Sequence, residues 1–82
     1  MKLSDAINHR IQYYMKINNL NSFWDLYKVT GVPKATINSF LSSKKTEIPK
    51  LTTLIQICEG LNTNLKDFFN DDIFLDIDDD NV

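Results

Sequence analysis

In residues 1–69 the apolar positions recur at helical spacing, and no run alternates with a period of two. That excludes a sheet there and leaves helices as the means of burying the chain's apolar residues. Leu3, Ile7, Ile11 and Tyr14/Met15 mark a first helix over about 4–18, with Ser4 as its expected N-cap and Asn18-Asn19 as its end. A second helix is expected over 23–30. Ser22 precedes it and Asp25 stands three residues on, as in a capping box, and Gly31 follows where a left-handed terminus belongs. Pro33 opens a third helix over 34–42. A fourth, entered through Pro49, covers 50–61 with Leu51, Leu54, Ile57, Cys58 and Leu61 as its buried stripe. A short fifth covers 65–70, capped by Asn64, with Leu65, Phe68 and Phe69 facing inward. The expected fold is all-α, a compact bundle of four to five short helices in one domain over 1–69, followed by an acidic tail over 70–82.

Several function classes drop out early. The apolar runs are only a few residues long, so a membrane partner is not expected. The N-terminal stretch has no apolar core of a signal peptide. One cysteine allows no intrachain disulfide, which makes the cytoplasm the default compartment. His9 and Cys58 cannot make a zinc site, and Cys58 on the apolar stripe reads as a small core residue. No paired carboxylates, phosphate loop or nucleophile with its base is present. The expectation is a non-enzyme, without metal, cofactor or small-molecule substrate.

The formal charge of −2 hides an uneven distribution. All nine lysines and arginines lie in 1–69 with five acids, a balance of +4, while 70–82 hold six aspartates and no base, a balance of −6. A mildly basic body with an acidic end differs from an acidic protein.

The third helix carries the functional argument. Stepping about 100° per residue puts Ile37, Phe40 and Leu41 on one side and Lys34, Ala35, Thr36, Asn38, Ser39 and Ser42 on the other. The outer face holds hydrogen-bonding groups, a methyl, one cation and no carboxylate. Asn pairs with adenine, Ser and Thr bond either edge, Lys meets guanine or phosphate, and Ala packs on thymine methyls. Asp or Glu would repel phosphates. A helix, a tight turn with Gly and an exposed second helix make a helix-turn-helix, and double-stranded DNA is the expected partner.

Residues 21–69 resemble the lambda-repressor/Cro-like, or xenobiotic-response-element, family of bacterial and phage regulators. The resemblance rests on "DLYKVTGVPKATINSFLSSK" and "IPKLTTLIQICEGLNTNLKDFF", with Leu26, Gly31-Val32, Thr36-Ile37, Leu54, Ile57, Leu61 and Phe68 in order. The chain departs from the family pattern where Phe23-Trp24 replaces a Gln near the start of the second helix. Tyr27, Pro33 and Leu41-Ser42-Ser43 are further departures. The resemblance implies four or five helices, with the third as recognition helix.

On this reading Lys34, Ala35, Thr36, Asn38 and Ser39 meet base edges, and Ser22, Lys28, Ser42, Lys44 and Lys45 meet phosphates. Lys50 is a further phosphate candidate. Arg10 is another, or else a surface partner of Asp5 or Asp25. The expected activity is sequence-specific transcriptional regulation, as a repressor, by a homodimer on a two-fold operator. The alternative is a protein-binding module on the same fold, an antitoxin or anti-repressor, whose protein partner meets Phe23-Trp24 and the tail. Dimer surfaces could be the fifth helix with the tail, or Trp24 with Tyr27.

The tail "NDDIFLDIDDDNV" has Asp76, Asp78 and Asp80 at calcium-loop spacing, but Asn81 stands where the glycine belongs. Three readings stay open. It is a frayed solubilising end, an arm packing Ile73-Phe74-Leu75 and Ile77 on the body or a second protomer, or an acidic element near the basic face that weakens DNA binding.

Overall fold

The computed structural model describes residues 1–41 and 47–78. They form five α-helices, α1 (Leu3–Ile17), α2 (Phe23–Thr30), α3 (Lys34–Leu41), α4 (Leu51–Gly60) and α5 (Leu65–Phe68), then a 3₁₀ turn, Asp72–Leu75. No strand occurs among the described residues.

The first helix begins one residue before the expected start. Lys2 flanks it without a side-chain cap, and the amide of Ala6 donates to the carbonyl of Lys2 at 3.0 Å. Ser4 therefore lies inside α1, buried, and does not cap it. The apolar Leu3, in the first turn, packs against the core. At the other end Asn19 takes a left-handed φ of 59°, and the amide of Leu20 donates back to Met15 at 2.8 Å. The side-chain amide of Asn18 donates to Tyr14 and to Leu61, joining the ends of α1 and α4.

Ser22 caps α2, its Oγ accepting from the amide of Asp25 at 3.1 Å. The return bond of the capping box reaches one residue further back, from the amide of Asn21 to the Asp25 carboxylate at 2.9 Å. Gly31 ends the helix at φ 72°. Thr30 then ties the turn together: its Oγ1 donates to Leu26 and accepts from the amide of Val32. Gln56 of α4 donates to the Thr30 carbonyl at 2.8 Å, satisfying one of the orphan groups at the helix end. Gly60 brings α4 against the same segment, where a Cβ would stand 2.6 Å from the Val29 carbonyl oxygen.

Ile7, Ile11, Leu26, Ile37, Phe40, Leu54, Ile57, Leu61 and Phe68 meet in one core. Leu51 does not join it. It is the first residue of α4 and remains 61% exposed, one turn before Leu54, the first buried residue of the helix. α5 is shorter than expected. Asn64 caps it at 2.8 Å, but Phe69 lies just beyond it, 37% exposed, and makes edge-on ring contacts with Phe68 and Phe74.

Arg10 corrects the surface role expected for it. It is buried on α1, with Nε donating to the Phe68 carbonyl at 2.7 Å and Nη2 donating to the Asp67 carbonyl at 2.8 Å. Tyr14 and Asp71 accept from two further N–H groups at 3.2 and 3.4 Å. Within the chain its partners are thus the C-terminal end of α5 and Asp71, in place of Asp5 or Asp25. The described part of the tail packs nearby, with the Phe74 ring 6.2 Å from that of Phe68, while Leu75 points to solvent. The Met1 amine pairs with Asp78 at 2.9 Å and holds that carboxyl below its usual range through the hydrogen bond and its charge.

Candidate nucleic-acid interface

Two anchors orient α3. On its inner side Ile37, Phe40 and Leu41 are almost fully buried. At its ends the amide of Ile37 donates to Pro33 at 3.0 Å, and Asn8 of α1 donates to the Leu41 carbonyl at 3.2 Å. Everything those anchors exclude faces outward. Lys34, Ala35 and Asn38 are exposed, and Thr36 and Ser39 are half-buried along the same face. The Asn38 amide bonds no group among the described residues, so its donor and acceptor are both available. Ser39 differs: its hydroxyl donates to the Thr36 carbonyl at 2.6 Å, leaving it mainly an acceptor toward solvent. No acidic residue stands in α3.

The phosphate candidates fall into two groups. Ser22 is exposed at the start of α2, where its Oγ is engaged by the cap, and Lys28 is exposed on α2. Lys50 is exposed next to the start of α4. Ser42, Lys44 and Lys45 lie outside the described residues.

One feature of this surface was not read from the sequence. The exposed Trp24 and Tyr27 rings lie 5.3 Å apart, and the Lys34 ammonium stands 3.8 Å from the Trp24 centroid. The four-residue step from Trp24 to Lys28 could have signalled a contact within α2. The contact with Lys34 crosses between helices, and nothing in residue spacing announces it.

A capped helix, a Gly-centred turn and a second helix anchored on one face only are thus in place. The family model of the Cro/C1-type HTH DNA-binding domain matches residues 10–72. The chain belongs to this family. No curated protein and no solved structure matches it. The Cro/C1-type family is one of DNA-binding domains, not of catalysts, and the all-helical fold agrees with it. The match takes in α1 from Arg10 onward, all of α2 to α5, and the start of the 3₁₀ turn. No helix among the described residues is long and apolar enough to cross a membrane.

Proposed function

We propose that this Cro/C1-type chain is a sequence-specific transcriptional repressor that acts as a homodimer in the cytoplasm, without catalytic chemistry, and lays α3 in the major groove of duplex DNA. The observation that carries the reading is the outer face of α3, which is polar, free of carboxylates and fixed by a buried inner face. Ala35, Thr36, Asn38 and Ser39 meet base edges, with Asn38 as the main reader because its amide can pair bidentately with adenine. Lys34 stands at the N-terminal end of that face. Ser22, Lys28, Ser42, Lys44 and Lys45 contact phosphates. A single module reads few base pairs, so two copies on a two-fold site supply the specificity.

Selection from a random duplex pool, with Asn38→Ala alongside, tests this. A site with two half-sites about one helical turn apart, and a loss of about 1–3 kcal/mol of discrimination in Asn38→Ala, supports it. Equal affinity for all duplexes, or none at low salt, refutes it.

A second reading draws on the exposure of Phe23, Trp24 and Tyr27, each more than a third accessible. It is a protein-binding module on the same fold, an antitoxin or anti-repressor. DNA binding that appears only with a protein partner would favour it.

A further inference from the structure

Lys34 opens the outer face of α3, yet its ammonium does not extend along that face. It turns back onto α2 and stands 3.8 Å from the centroid of the Trp24 ring and 6.0 Å from that of Tyr27. Lys28, one turn along α2 from Trp24, places its own ammonium 5.9 Å from the same ring. Trp24 is 47% exposed, so it is not held there by the core. Among the described residues neither lysine has a carboxylate within ion-pair distance.

We infer that Trp24 is a positioning residue that holds Lys34 as a phosphate clamp, with Lys28 beside it, rather than leaving Lys34 as a reader of base edges. The inference rests on the DNA-binding reading of α3. A lysine is a flexible point charge, and fixing it on a ligand costs rotamer freedom. The negative face of an indole attracts the cation and removes part of that cost in advance. An ammonium has three donors, and a ring on one side leaves the others for an oxyanion. The placement selects phosphate over base. In helix-turn-helix docking the second helix lies in the groove while the first crosses the backbone. A cation drawn back from α3 onto α2 is therefore drawn from the base edges toward the phosphates. Asn38, in the middle of α3 and unbonded, stays on the groove side.

The test compares wild type, Lys34→Met, Trp24→Leu, Trp24→Phe and the Lys34→Met/Trp24→Leu double variant on selected and random duplexes over a range of salt. Lys34→Met is expected to weaken both duplexes by the same factor and to lower the slope of log K against log salt by about 0.9. Trp24→Leu weakens binding about two- to five-fold, Trp24→Phe restores it, and the double variant loses less than the two single losses combined, since only the Lys28 contact remains for Trp24→Leu to remove. In the free protein the ring current shifts the Lys34 ε-methylene protons upfield, and the shift disappears in Trp24→Leu. A Lys34→Met loss confined to one base pair overturns the inference, as do additive losses or an absent ring shift, while the α3 reading stands. A wild-type chain that binds no duplex overturns that reading and the clamp together.

Discussion

Replacing Arg10 by Met tests whether the body depends on a buried cation. Arg10 is 7% exposed and its guanidinium serves carbonyls of Asp67 and Phe68, across about 58 residues of chain. Methionine keeps most of the methylene stem and its packing while removing every donor. The Phe68 carbonyl, bonded in a buried site, then lacks a partner, which costs about 1–3 kcal/mol. The Asp67 carbonyl is nearer solvent and can recruit water, so its loss is about 0.5–1 kcal/mol. The Asp71 carboxylate is 42% exposed and 3.4 Å away, and that pair adds less than about 1 kcal/mol. Relief from burying the guanidinium offsets part of this. The net expectation is about 2–4 kcal/mol, against a total stability of about 4–12 kcal/mol for a chain this size. Denaturant unfolding measures it directly, and Tm should fall by about 10 °C or more. Arg10→Lys, with one point charge for two carbonyls, should fall between. A loss below about 1 kcal/mol for Arg10→Met would refute the reasoning. So would a lower salt slope of DNA binding at a temperature where the variant is folded, since that would make Arg10 a phosphate contact after all.

Two further perturbations follow from the packing. Gly60→Ala places a methyl 2.6 Å from the Val29 carbonyl and from Thr30 Cγ2, so α4 must retreat from the helix-turn-helix, costing about 1–3 kcal/mol by thermal or chemical unfolding. Burial pushes the Cys58 thiol from 9.0 up to about 11, which favours its neutral form in the folded chain. Its contribution is therefore complete below pH 9 and is lost as pH rises toward 11, and Cys58→Ala should show a shallower decline of unfolding free energy over that range.

The fold was legible where neighbours along the chain decide the outcome. Ser22 with Asp25 caps a helix through atoms three residues apart, and Gly31 supplies a left-handed φ that few side chains tolerate. What escaped was set by elements distant in sequence. Helical periodicity assigns Leu51 to the core because it counts spacing and cannot count what lies opposite; among the described residues nothing buries it at the start of α4. A charged side chain such as Arg10 reads as surface unless its acceptors are known, and these are carbonyls left over at the end of another helix. The outer face of α3 was legible for the opposite reason. Once Ile37, Phe40 and Leu41 are committed to the core, the 3.6-residue repeat determines what remains outside. Side-chain direction on that face was not. Lys34 belongs to α3 by its backbone and to the surface of α2 by its charge, and only the Trp24 ring reveals the difference. Helical periodicity therefore names the residues at an interface, while the group each one meets depends on contacts between helices.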